Sequence, residues 1–285
     1  MIGYLALILV VLAAPMVGCV PQRSRQPATT PATSPPPQPQ AVETPAEPPH
    51  VVFIAAEDEY KSEKSLALLA EDARAKGWTT TLLTAHPDQS AAENIPGLEA
   101  LEHAELAVIY MRFRRLPAEQ VAHLEKYLHR GAPVVGIRTS THAFAYAKGD
   151  PLVAWNHFGR DVLGAPWIRH FGHDSTTDVT VAPGAETSAL LGGVEPAFHV
   201  RSWLYDLEGK YPPAGSQILL VGQSCDEQGR QVKDRPPSAV AWTRTNAWGG
   251  KVFTTTLGHP EDFANASVRK LLVNAMEWAV DPKAK

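Results

Sequence analysis

Short apolar runs and amphipathic stretches alternate along residues 51–137. VVFIA (51–55) is continuously apolar, the mark of a strand buried on both faces of a sheet. In SEKSLALLAEDARAKG (62–77), Leu66, Leu69, Ala70 and Ala73 fall on one helical face, and Gly77 is placed to end the helix. TTTLL (79–83), LAVIY (106–110) and PVVGI (133–137) repeat the strand pattern. PAEQVAHLEKYLHRG (117–131) opens on Pro117 at a first-turn position, closes on Gly131 and carries the apolar stripe Val121, Leu124 and Leu128. This alternation predicts βαβ units, and so an α/β fold with a doubly wound, mostly parallel sheet flanked by helices.

The second half is less regular. LVAWNHFGRDVLG (152–164) is compatible with a helix, and TDVTVA, QILLVG, SAVAWTR and KVFTTT read as strands. SVRKLLVNAMEWAV (267–280) predicts a helix with Val268, Leu271, Leu272, Ala275 and Ala279 inward, stopped by Asp281-Pro282. There is no internal repeat, and no Gly-rich phosphate loop follows the first strand.

The first 49 residues follow neither period. Residues 2–14 are an apolar run of signal-peptide length, and the small residues of MVGC end at Cys19. Residues 1–19 resemble a bacterial lipoprotein signal whose cysteine is lipidated. Residues 20–49, rich in Pro, Ala, Thr, Ser and Gln, read as a disordered, partly polyproline-II spacer. The expectation is a domain at 50–285 held to a membrane through a lipid on Cys19, in the bacterial cell envelope, lipid-anchored or secreted. With Cys19 lipidated, Cys225 stands alone and no intrachain disulfide is expected. The net charge of −4 and the absence of a basic stripe argue against nucleic acid and leave small molecules or proteins as partners.

Ligands of open parallel sheets bind outside the carboxyl ends of the strands. The first strand is followed by Glu57, Asp58, Glu59 and Tyr60, and the third by Arg112, Arg114 and Arg115. The fourth is followed by Arg138, Thr139, Ser140, Thr141 and His142, and the last by His259, Glu261 and Asp262. Asp58 and Glu59 also suit the start of a helix. Arg114 and Arg115 read as solvated, whereas Arg112, nearer the strand end, is an anion-binding candidate.

VVFIAAEDEY, VIYMRFRRLP, PVVGIRTSTHAF, RSWLYDL, AVAWTRTNAWGGKVFTTTLGHPEDF and LLVNAMEWAV, in this order over about 51–280, resemble the trehalose-utilisation, ThuA-like family. The resemblance implies the flavodoxin-like fold of class I glutamine amidotransferases. It also makes His259-Pro260-Glu261 similar to the segment that carries the amidotransferase histidine and glutamate. The cysteine nucleophile of those enzymes would follow Gly-Ile in VVGIRTSTH, where this chain has Arg138. A guanidinium cannot serve as that nucleophile. Cys225 lies in another segment, and Ser140 lacks a G-x-S-x-G elbow, so covalent catalysis is not expected from either.

WNHFGRDVLGAPWIRHFGHD adds His157, His170 and His173 with Trp155 and Trp167, similar to the histidine-bearing segment of ThuA-like proteins. Imidazoles and tryptophans can line a sugar pocket, and imidazoles with carboxylates can hold zinc or another divalent metal. No cofactor or metal ligand is assigned from the sequence. The leading expectation is a tethered domain that binds or acts on a carbohydrate-derived small molecule. His259 would be general acid or base and Glu261 its partner. Arg112, Arg138, His142, Glu57, Tyr60, His170 and His173 would contact the ligand. The alternatives are a non-catalytic binding or protein-interaction module of the envelope and a metal-dependent hydrolase.

Overall fold

The computed structural model of the chain describes residues 47–284. The readings of residues 1–19, of lipidation at Cys19 and of most of 20–49 lie outside the described residues. Among the described residues no helix is long and apolar enough to cross a membrane.

One nine-stranded sheet organises the domain. Its parallel half contains β1 (His50–Ala56), β2 (Thr79–Thr84), β3 (Leu106–Met111) and β4 (Val134–Ile137) in the order β2-β1-β3-β4. The second half of the chain supplies β5 (Arg169–His170), β6 (Thr176–Val181), β7 (Ala197–Val200), β8 (Tyr205–Asp206), β9 (Gln217–Cys225), β10 (Ser238–Thr245) and β11 (Lys251–Thr255). β11 pairs parallel with β4, so late residues reach the centre of the sheet. From β11 the sheet continues antiparallel through β10, β9, β6 and β7. β5 and β8 form a separate two-stranded ribbon.

The apolar runs become strands because both sheet faces are covered. Every residue of β3 is buried. One face packs against α1 (Ser62–Ala75) and α3 (Ala266–Val280), and the other against α2 (Ala118–His129) and the turn Leu98–His103. The helical stripes point inward as the periodicity requires: Leu66, Leu69, Ala70 and Ala73 in α1, Val121, Leu124 and Leu128 in α2, and Val268, Leu271, Leu272, Ala275 and Ala279 in α3 are all buried. Gly77 and Gly131 follow α1 and α2 with φ of +82° and +74°, the left-handed geometry in which a glycine ends a helix.

The stretch 152–164 is not one helix. It splits into a 3₁₀ turn, Val153–His157, and a π turn, Gly159–Leu163. Gly159 lies so close to the loop after β4 that a Cβ there would sit 1.9 Å from the Thr141 carbonyl oxygen. That backbone contact sets the path of the segment.

β1 is flanked by β2 on one side and β3 on the other, so the chain changes direction across the sheet at β1/β3. Such a switch point opens a crevice at the carboxyl ends of the strands. The register keeps those ends level, with Ala56 beside Met111 and Ile137 beside Thr255.

Candidate functional site

The switch point is filled by the protein's own charges. Arg112 approaches Glu57 at 3.2 Å, Asp58 at 2.9 Å and Glu59 at 2.5 Å. A guanidinium with three carboxylate neighbours is already neutralised, which corrects the expectation that Arg112 is available to an anionic ligand. Glu57, expected to contact ligand, is fully buried and accepts hydrogen bonds from the backbone N–H groups of Glu59 and Tyr60. Burial raises its pKa, partly offset by those N–H groups and by Arg112. Arg114 is not solvated either. Buried at 3% exposure, it donates to the carbonyls of Arg112, Gln89 and Ala91 and pins a neighbouring loop.

Arg138 follows β4 directly, with φ of +45°. An arginine therefore occupies a sharp strand-to-helix elbow, in a conformation costly for a side chain with a Cβ. Gly258 gives the elbow room: a Cβ there would lie 3.1 Å from Arg138 Cβ. The guanidinium is completely buried, 4.8 Å from the Tyr60 ring, 5.1 Å from Trp203 and 4.9 Å from Tyr205. It donates to the carbonyls of Thr256 (2.7 Å) and Trp203 (3.4 Å) and to the Tyr60 hydroxyl (3.3 Å), and its Nε has no partner. Arg138 is expected from the sequence to contact ligand; its guanidinium lies buried beneath the aromatic faces rather than exposed to solvent. Tyr60 is likewise buried, its hydroxyl accepting from Arg138 and its ring packed against Trp203 and His259. Ser140 is spent in the fold, its hydroxyl donating to the Ile109 carbonyl and accepting from the Met111 N–H.

Above Arg138 the rings converge. Trp203 lies 5.5 Å from Tyr60, 5.4 Å from His170, 4.5 Å from His173 and 6.1 Å from His259, and Tyr60 is 6.0 Å from His259. His142 joins through Trp167 at 5.2 Å and Phe113 at 5.1 Å. The loops bearing Arg138 and His259 thus meet at one rim, as the sequence order of the strand ends requires. The face opens to solvent along Phe113, Trp167 and His173, with Trp167 39% exposed.

The whole folded region matches one family model, described as "Trehalose utilisation" (ThuA), over residues 50–279. The chain belongs to the ThuA family. Two solved ThuA-like proteins share its fold. The one from Bacteroides uniformis is 16% identical, with 84% of this chain and 95% of that chain covered at a TM-score of 0.58. The one from Parabacteroides merdae is 14% identical, with 84% and 92% covered at 0.59. The comparison with curated proteins found no match.

In this ThuA domain His259 is placed by Asp262, three residues on in the loop. Asp262, buried, accepts from the N–H groups of Arg201, Ser202, Gly258 and His259 and from the Ser202 hydroxyl. One carboxylate thereby clamps the loop after β7 to the loop after β11. Glu261 is the looser partner: its carboxylate is 3.9 Å from His259 Nδ1, with a side chain 72% exposed. His259 Nδ1 instead accepts from the Glu261 N–H at 3.3 Å, which puts the proton of the neutral ring on Nε2. An amidotransferase-type arrangement, in which the glutamate carboxylate accepts a hydrogen bond from Nδ1–H, is therefore not assembled.

Three imidazoles of the face, His142, His170 and His259, are held below the ordinary histidine range. Burial lowers the His259 pKa despite nearby Asp262, and burial with His173 and Arg138 lowers that of His170. His142 is pushed down to about 3, by burial first and then by the Arg112 and Arg138 cations. His170 and His173 do come together, with ring centroids 4.8 Å apart. They do not combine with His157 into a three-ligand group; among the described residues the group that does is Asp178, His199 and Cys225, in the antiparallel half.

Trp203, the hub of the cluster, and Ser202 were not singled out as site residues from the sequence, although RSWLYDL concentrates both in a polar-aromatic run. Beside the His259 loop, His199, Arg201, Glu261, Asp262 and Asn265 help line a cavity of about 270 Å³.

Proposed function

We propose that the ring-lined face around Trp203 binds a carbohydrate-derived small molecule, with His259 as the group able to exchange a proton with it. The observation that carries this reading is the convergence of Trp203, Tyr60, His170, His173 and His259 over the buried Arg138 cation. Flat rings suit the apolar faces of a sugar, and imidazole nitrogens supply hydrogen-bonding groups for its hydroxyls. The family description points the same way. His259 Nε2–H is a donor in the neutral ring, which fits a hydrogen bond to a substrate oxygen or developing oxyanion; proton delivery requires the imidazolium form. We further propose that a lipid on Cys19 and the linker 20–49 tether the domain to the envelope.

Capture of a ligand without turnover is the second reading, favoured by the loose Glu261 contact and by the lack of a nucleophile at the elbow. A thermal-shift screen of the full chain against trehalose, glucose and their keto-oxidised forms tests the binding claim. A specific sugar raises Tm by mass action, and Trp167→Ala with His170→Ala abolishes the shift. A shift that survives both substitutions places the ligand elsewhere and refutes the site. His259→Ala then separates the two readings: lost turnover with retained binding supports proton transfer, and absence of any turnover in the wild type supports capture.

A further inference from the structure

The antiparallel half of the sheet carries a second cluster that the ring face does not use. Asp178 on β6 lies directly opposite His199 on β7. It also lies directly opposite Gln223 on β9, and Thr176 lies opposite Cys225. Cys225 is therefore the diagonal neighbour of Asp178 on the same face of the sheet, within side-chain reach. Three adjacent strands thus present a carboxylate, an imidazole and a thiol to one point. The ligand atoms all lie within 4.8 Å of one another, and Asp178 Oδ1 is 2.7 Å from His199 Nδ1.

This face looks away from the core. Thr177 and Val179 alternate inward and are buried, while Asp178 is half-buried and His199 is exposed. Cys225 is nonetheless fully buried, because the chain turns back after β9 and Gln231 bridges to it. That return also places Gln231 Nε2 2.9 Å from Asp178 Oδ2, so the oxygen not facing His199 is held in place. A ligating carboxylate oriented by an outer hydrogen bond is a usual feature of metal centres. The thiol lies 3.7 Å from the Gln223 carbonyl and also hydrogen-bonds the Asp178 carboxylate.

We propose that Asp178, His199 and Cys225 form a zinc site of the three-ligand type, with the fourth position open to solvent. Sulfur, nitrogen and oxygen from three different residue types match the borderline-soft preference of zinc and disfavour magnesium and calcium, which take oxygen. Around a tetrahedral ion with bonds of about 2.0–2.3 Å, ligand atoms stand roughly 3.3–3.8 Å apart. The spacings here bracket that range: the Asp178–His199 pair is closer and the upper limit of the group is wider. Small side-chain rotations suffice, because backbone pairing already fixes all three Cβ positions. Binding displaces the thiol proton of Cys225, which leaves to solvent. His199 is exposed, so the cluster is reachable from solvent on the edge-strand side.

The test uses the full chain purified without chelator. Elemental analysis is expected to give about one zinc per chain, or titration against a chromophoric chelator to show one tight site. Cobalt substitution is expected to give the near-ultraviolet thiolate-to-metal charge-transfer band. Cys225→Ser abolishes that band, and Gln231→Ala weakens zinc binding by roughly 10- to 100-fold. His199 is on an exposed edge strand, so His199→Ala keeps the fold, as circular dichroism checks, while losing the zinc-induced rise in Tm. Absence of both a tight site and the cobalt band, or zinc affinity unchanged in Cys225→Ser and His199→Ala, overturns the proposal. His259→Ala leaves zinc binding intact, so failure of the ring-face reading and failure of this one are distinguishable.

Discussion

Below neutral pH, protonation of His142 should cost this protein stability. The ring packs among Phe113, Trp167 and Tyr205 and faces the Arg112 and Arg138 cations. Its pKa falls from 6.5 to about 3 on folding, chiefly through burial and then through those two charges. The folded-state value is the lower one, so between these pH values the unfolded chain binds more protons than the native one. The contribution of His142 is complete above pH 6.5 and is lost progressively as pH falls towards 3. Integrated from pH 7 to pH 5, one such group removes about 2 kcal/mol. His142→Gln keeps a polar side chain but cannot take up the proton. Urea unfolding followed by tryptophan fluorescence at both pH values should show the wild type losing about 2 kcal/mol more than the variant. His170 and His259 shift in the same direction but are present in both proteins, so the difference isolates His142. Equal pH dependence of the two proteins, or an NMR titration of His142 near 6.5, would refute the argument that its neighbours keep it neutral.

Three further outcomes follow from the loop geometry. Asp262→Asn turns one acceptor of the five-donor clamp into a donor and should cost about 3 kcal/mol in chemical denaturation, whereas Glu261→Gln, on an exposed side chain, should stay within about 0.5 kcal/mol of wild type and leave any sugar-induced Tm shift unchanged. Arg138→Met removes the cation beneath the rings and leaves the Thr256 and Trp203 carbonyls without their donor; thermal melting should register a loss of roughly 2–4 kcal/mol. Gly159→Ala drives a methyl into the Thr141 carbonyl and should cost roughly 3 kcal/mol or more, read from the yield and Tm of the folded protein.

The strands and helices of the first half could be read from the chain because their causes are local. A buried strand needs an unbroken apolar run, and an amphipathic helix needs apolar residues every three to four positions. Both periods are visible within a dozen residues, and the strand ends they define gave the rim where Arg138 and His259 meet. What each side chain does at that rim depended on partners far away in sequence. Arg112 reads as a free cation until the loop after β1 brings Glu57, Asp58 and Glu59 to it. Arg138 reads as an anion contact until Trp203 and Tyr205 close over it, and Arg114 as solvated until the carbonyls of Gln89 and Ala91 reach it. The single helix expected at 152–164 failed for the same reason, since the Thr141 backbone against Gly159 decides its path. The pairing of Asp178 with His199, and of β6 with the strand that carries Cys225, is a matter of strand register. Local periodicity says which face a strand buries; it cannot say which residue of another strand stands opposite, and only the closed sheet determines that.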